Sequence, residues 1–281
     1  MIMDNNNKKD YAKQGEYLRQ EMMAVSAARL LRNEMVLVGF GLPMIVAILA
    51  KYTNAPELIM MTEAGVYNAK PEHTPLCVAD CRFSYKTSWY GTPVELLGAV
   101  LPTRRADLAM LGGAQVDKYG SLNSTCIGNY LKPKKRLPGS GGACDFAALA
   151  NRFLIIIEHD KRHFVDTVDY LTSPGWVCKK FPENKMVRRE SLGMWGGPEA
   201  AISTMGVMKF HPETKEMYVE SYYADLGVHA EEIKNNTGFD IDVSRAKPAI
   251  PPTYEELDLI RNKIDPEHFI VPKFDASKVA R

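Results

Sequence analysis

The chain lacks any hydrophobic run long enough to cross a membrane. Its most apolar stretch, residues 35–50, falls short of the roughly 20 residues a spanning helix needs, and Gly39, Gly41 and Pro43 interrupt it. A strand, a turn and a helix explain that stretch better. Charge of one sign is also missing. Lys and Arg number 35 against 34 Asp and Glu, and a net +1 gives no pull towards nucleic acid or acidic membranes. The one basic cluster, Lys132-Pro133-Lys134-Lys135-Arg136, reads as a solvated loop. Cysteines are few and odd in number. Of the five, only Cys77 and Cys81 are close in sequence, and no second pair or histidine cluster completes a zinc site. The expectation is free thiols and no metal. No signal peptide is visible in the polar start, and these absences together predict a soluble, cytoplasmic protein.

Catalytic arrangements built on a neutral nucleophile are absent too. No Ser-His-Asp or Cys-His pattern stands out. His159 and His163 flank Asp160-Lys161-Arg162 after a strand, and they read as a solvated turn rather than as ligands. With no internal repeat and no low-complexity linker, the organisation expected is a flexible start over residues 1–14 and a single domain over 15–281.

What is present has α/β texture. The chain is 281 residues long, 46% hydrophobic and 25% charged, as soluble globular proteins are. Helical spacing of Leu18, Met22 and Val25 predicts a helix over about 15–32. Met35-Val36-Leu37-Val38 reads as a strand of the parallel type. The turn Gly39-Phe40-Gly41-Leu42-Pro43 then leads into an apolar helix over 44–52. Met44 stands where a third glycine would complete a dinucleotide fingerprint, which argues against such a cofactor. Further strands are predicted at 57–61, 107–111 and 153–157, the last apolar enough for a fully covered central position. Beyond Pro174-Gly175-Trp176, residues 179–192 read as charged and irregular. Residues 201–210 and 216–223 read as a hairpin around His211-Pro212-Glu213-Thr214-Lys215. A closing helix spans 254–264. The fold class is an open, mostly parallel α/β sheet with flanking helices and an added C-terminal hairpin and helix.

One residue stands out against this frame. Thr62-Glu63-Ala64-Gly65 places a carboxylate at the carboxyl end of a buried strand, where open α/β sheets bind ligands. A glutamate there can act as a base, a metal ligand or a nucleophile, or it is simply a solvated strand end. Two other glycine-rich loops lie where the chain leaves or enters the sheet: Gly112-Gly113-Ala114-Gln115 and Gly139-Ser140-Gly141-Gly142, the latter opening a helix. Their backbone N–H groups suit a phosphate or an oxyanion. Local physics does not say that the three loops converge.

Seven strings occur in one order: Gly39-Phe40-Gly41-Leu42-Pro43, Thr62-Glu63-Ala64-Gly65, Gly112 to Gly120, Asn123-Ser124-Thr125, Gly139 to Ala143, Asp169 to Trp176 and Asn236 to Asp240. In that order the chain resembles glutaconate-type beta subunits of the class I CoA-transferase family, from about residue 16 to residue 270. The resemblance implies that Glu63 attacks an acyl-CoA thioester, passes through a mixed anhydride and carries CoA as a glutamyl thioester. It implies an oxyanion and substrate site at Gly139, Ser140, Gly141, Gly142, Ala64, Gly65 and Cys144, with Gly112, Gly113 and Gln115 binding CoA. It implies no tightly bound cofactor, with coenzyme A as substrate. It also implies an alpha subunit that shares the site, in a heterodimer or heterotetramer. The chain departs from those subunits at Ala64, where they carry serine, and at Cys144, where they carry asparagine. Met60, Met61 and Tyr67 fit either core positions or an acyl pocket larger than glutaconate needs. Two alternatives keep the fold: an acyl-CoA hydrolase or decarboxylase, and a non-catalytic scaffold subunit. A thiolate nucleophile at Cys144 is a further reading, set against a small pocket-lining residue.

Overall fold

The computed structural model describes residues 10–71, 74–180 and 182–275. Short apolar runs alternate with helices in the first half, and they become the strands β1 (Met35–Leu37), β2 (Ile59–Met61), β3 (Val66–Tyr67), β4 (Trp89–Tyr90), β5 (Leu108–Leu111) and β6 (Arg152–Ile157). The second half adds β7 (Pro198–Ser203), β8 (Gly206–Phe210), β9 (Met217–Tyr222) and β10 (Lys247–Pro248). The described residues join these into one ten-stranded sheet in the order β10-β9-β8-β7-β6-β5-β1-β2-β3-β4. From β7 to β2 all neighbours are parallel. Antiparallel pairing follows outside them, at β8 and β9 on one flank and β3 and β4 on the other, and the edge strand β10 pairs parallel to β9.

Parallel strands need crossovers, and helices lie in most of them; the one from β6 to β7 instead carries the hairpin Val177–Lys180 with Lys185–Arg188. The principal helices are α1 (Arg19–Ala28), α2 (Leu42–Tyr52), α3 (Ala143–Leu149), α4 (Ala230–Asn235) and α5 (Tyr254–Asp258). α1 packs on α2, and α3 packs on β5 and β6. The central β6 is buried from Phe153 to Ile157, as its unbroken apolar run requires. Met60 and Met61 are buried core residues of β2, and neither lines the cleft that holds Glu63.

Several expectations need correcting, each for a physical reason. α1 is shorter than 15–32: Leu18 is extended, and its backbone N–H donates to the Glu21 carboxylate at 2.7 Å, which starts the helix one turn later. Residues 201–210 are not one strand. Ser203 turns the chain there, its hydroxyl accepting from the Met205 and Gly206 backbone N–H groups, and β7 and β8 lie on either side. Residues 132–136 are a strand rather than a loop, paired with Cys126–Asn129. Nothing buries it, so it has no apolar alternation to read. Residues 179–192 contain the hairpin Val177–Lys180 with Lys185–Arg188, followed by a tight turn at Arg189–Leu192. After α5 the backbone widens into π-helical turns over Leu259–Ile264.

Of the polar start, residues 1–9 lie outside the described residues. Tyr11 forms an antiparallel bridge with Thr253 and Ala12 is buried, so packing begins ahead of Gly15. Arg261 pairs with the buried Glu21 at 2.6 Å and Arg29 with Glu256 at 2.7 Å, fastening the C-terminal segment to α1. All five cysteines are free thiols. Among the described residues no helix is long and apolar enough to cross a membrane.

His159 is not on a solvated turn. It is buried, its Nδ1 2.9 Å from the Ser203 hydroxyl and its Nε2 3.1 Å from the Thr237 hydroxyl, and its ring stacks on Phe164. Burial pushes its pKa from 6.5 down to about 3. The unfolded chain therefore takes up a proton below about pH 6.5 that the folded chain refuses, and stability falls as pH drops from 6.5 towards 3. The slope approaches about 1.4 kcal/mol per pH unit. Asp117 acts in the opposite direction: burial raises it from 3.8 to about 6, so the folded chain takes up that proton first and gains stability in this window. Replacing His159 isolates its share. Urea midpoints of the native chain and of His159→Gln, taken at pH 7 and pH 5, are expected to converge as pH falls. A gap that stays constant contradicts a neutral buried imidazole.

Candidate functional site

Strand order reverses between β1 and β5: β2 lies on one side of β1, and the chain then crosses to build β5, β6 and β7 on the other. In open α/β sheets such a switch point leaves a crevice at the carboxyl ends of the strands. Here a cleft of about 200 Å³ occupies it. Gly39 and Phe40 leave β1 into its wall, Gly112 leaves β5, and Glu63 follows β2. Gly39 and Gly112 keep these exits tight, since a Cβ at either would meet a neighbouring carbonyl at 3.3–3.4 Å.

Glu63 is presented by a hairpin. The Thr62 carbonyl accepts from the Gly65 N–H at 3.0 Å, and β3 runs straight back. Gly65 has φ +93°, and the Gly91 carbonyl lies only 2.0 Å from where its Cβ would be. Glycine is required there twice over. Gly65→Ala is expected to destabilise the chain by more than the roughly 1–2 kcal/mol of a left-handed alanine alone, because the collision adds to it. Chemical denaturation reads this directly; an unchanged midpoint contradicts the close approach.

The glycine loop meets Glu63 from the other side. The Gly142 backbone N–H donates to Glu63 Oε2 at 2.9 Å, across 79 positions of sequence. The loop is clamped by Ser124: the Gly139 N–H donates to the Ser124 carbonyl, and the Ser124 hydroxyl donates to the Gly139 carbonyl, both at 2.9 Å. The Ser173 hydroxyl donates to the Ala143 carbonyl at 3.1 Å, and the Cys144 N–H to the Ser140 hydroxyl at 3.2 Å. Gly139 and Gly141 have φ of +103° and +50°, which the curl of the loop demands.

The structure thus brings Glu63, Gly112, Ser140, Gly141 and Gly142 to one cleft. Ala64 and Gly65 form the hairpin beside it. Cys144 points elsewhere: Ala143 lines the cleft, and the Cys144 thiol lies 3.6 Å from the Asp145 carboxylate. Gln115 is spent on structure. Its amide oxygen accepts from Asn123 at 2.7 Å and from the Asp169 N–H at 3.0 Å, and its amide N–H donates to the Asp169 carboxylate at 3.2 Å. Gly113 packs against the Asn123 carbonyl.

Residues without a sequence signal complete the walls: Val78, Met110 and Phe146, with Phe40. Only Phe40 carried a hint, as a large apolar side chain between two turn glycines. Arg189, in the stretch read as irregular, is fully buried and donates to the Ala147, Pro174 and Trp195 carbonyls, bracing α3 behind the cleft. Burial lowers its pKa from 12.5 to about 10. A larger groove of about 750 Å³ lies between Tyr119, Tyr170 and Met186. It contains neither Glu63 nor the glycine loop.

Residues 20–233 match the family model described as coenzyme A transferase. The chain is 38% identical over 257 residues to the B subunit of glutaconate CoA-transferase from Acidaminococcus fermentans, covering 89% of this chain and 93% of that one. It is 37% identical over 248 residues to the B subunit of 3-oxoadipate CoA-transferase from Pseudomonas knackmussii, covering 87% and 92%. The crystal structure of glutaconate coenzyme A-transferase from Acidaminococcus fermentans superposes with a TM-score of 0.83 at 37% identity, over 93% of this chain and 99% of that one. These relatives are B subunits, which implies a partner subunit, and the chain belongs to the coenzyme A transferase family.

Proposed function

We propose that this chain is the beta subunit of a heteromeric CoA-transferase and that Glu63 is its nucleophile. The observation that carries the reading is the Gly142 N–H held 2.9 Å from Glu63 Oε2 in the switch-point cleft. A carboxylate nucleophile needs no neighbouring base to activate it, and among the described residues no histidine lines the cleft. Glu63 attacks the thioester carbonyl, the C–S bond breaks, and CoA thiolate leaves behind a mixed acyl anhydride. The thiolate then attacks the glutamyl carbonyl, and the donor acid departs as a carboxylate. Attack by the acceptor carboxylate on the glutamyl thioester, run through the same steps in reverse, delivers the new acyl-CoA. No net proton is consumed.

The Gly142 donor faces an oxygen of Glu63 itself. It therefore serves the tetrahedral intermediates centred on the glutamyl carbon, in which that oxygen becomes an oxyanion. One well-placed donor of this kind contributes about 3–4 kcal/mol. Gly112 and Phe40 border the approach of the thioester. The cleft, at about 200 Å³, is too small to enclose CoA by itself, so an alpha subunit closes it and shares in CoA binding. The acids are short to medium carboxylic acids; the two B-subunit relatives serve dicarboxylates, glutaconate and 3-oxoadipate, and the walls of this chain's own site decide whether it does the same.

Acceptor dependence tests the reading. In the assembled enzyme, CoA exchange is expected only when a carboxylic acid acceptor is supplied, with ping-pong kinetics. Steady release of free CoA from acyl-CoA alone makes the enzyme a hydrolase instead.

A further inference from the structure

A second pocket, of about 370 Å³, opens beside the Glu63 cleft on the same edge of the sheet. The two share one wall, Phe40, whose side chain is 63% exposed. β6 lies next to β5, and the Ile156 carbonyl comes within 3.4 Å of the Cβ position of Gly112. The cleft over β5 thus continues along the sheet edge into the pocket over β6. The walls there are mainly apolar, with Met23, Leu42, Ile157, Phe269 and Ile270; Gln20 and Thr204 are polar, and Glu158 is the one charged side chain among them.

Charge narrows what fits. Among the described residues, neither cleft nor pocket is lined by lysine, arginine or histidine. Arg19, near the pocket's Thr204, donates to that residue's backbone carbonyl at 3.1 Å. A second carboxylate on the acyl group would enter a mainly apolar space facing the Glu158 carboxylate, with no cation among the described lining residues to pair with it. A hydrocarbon tail gains instead, by roughly fourfold in kcat/KM for each methylene buried.

We propose that this pocket receives the tail of the acyl group, so that the enzyme selects CoA thioesters of medium-length, apolar monocarboxylic acids over those of dicarboxylic acids. The assignment rests on the transferase reading above. Phe40, between nucleophile cleft and tail pocket, sets the bend the acyl chain takes.

The test uses the assembled enzyme with butyryl-, hexanoyl- and octanoyl-CoA against glutaryl- and adipyl-CoA, reading kcat/KM for formation of the CoA adduct on Glu63. The expected profile climbs from butyryl to octanoyl, with hexanoyl at least tenfold above adipyl. Phe269→Asp, at a 52% exposed position, is expected to lower the octanoyl-to-butyryl ratio at least tenfold. A preference for glutaryl or adipyl overturns the assignment. So does an equal loss for all thioesters in Phe269→Asp, which makes the pocket a seat for the partner subunit. No adduct with any thioester overturns the transferase reading, and the pocket assignment with it.

Discussion

Glu63→Gln, assembled with its partner subunit, is expected to lose CoA transfer by about four orders of magnitude or more, the scale seen when a covalent nucleophile is removed. The substitution is nearly isosteric. The glutamine carbonyl can still accept the Gly142 N–H that now reaches Oε2 at 2.9 Å, so the hairpin and the glycine loop keep their positions. What disappears is the negative charge and the second oxygen, which in the proposed mechanism attacks the thioester. Thermal stability is therefore expected to stay within about 0.5 kcal/mol of the native protein, as for surface-like replacements. That separation matters, because a drop in turnover with unchanged stability and assembly isolates chemistry from folding. Unchanged turnover would transfer the chemistry to the partner and leave this chain a scaffold.

Gly142→Ala is expected to lower kcat by about 10²–10³, the range observed when an oxyanion donor is lost. Backbone strain is not the cause: Gly142 has φ −76° and ψ 0°, which alanine adopts readily. The cause is space. A Cβ there would lie 2.8 Å from Glu63 Oε2 and 3.3 Å from the Phe146 ring, and something must move. The ring is held in the core, so the carboxylate gives way and loses its N–H donor. Because the same oxygen carries charge in the intermediates, the loss falls on kcat more than on KM. A variant with native kcat and a raised KM contradicts this and places Gly142 in ground-state binding alone.

How much of this was legible in the sequence depends on distance along the chain. The parallel core was readable because β1, β2, β5 and β6 are apolar runs between turn signals. Glu63 was readable as a strand-end carboxylate for the same local reason. Its meeting with Gly142 was not, since they are 79 positions apart and no local pattern encodes a contact at that range. Exposed strands escaped notice where no face is buried, as at Lys132–Arg136. Buried polar groups escaped in the opposite way. His159 and Arg189 sit among charged neighbours in sequence, yet tertiary packing buries both and supplies their partners. The resemblance placed Cys144 in the substrate site and Gln115 in the CoA site. Their side chains turn instead to Asp145 and to the Asn123–Asp169 network.

The most direct measurement of the central claim is peptide mass spectrometry on the assembled enzyme, incubated with an acyl-CoA and quenched before any acceptor is added. The account expects a CoA-sized adduct on the peptide containing Glu63, discharged when a carboxylic acid acceptor is supplied. An adduct on Cys144, or none at all while CoA is steadily released, contradicts it.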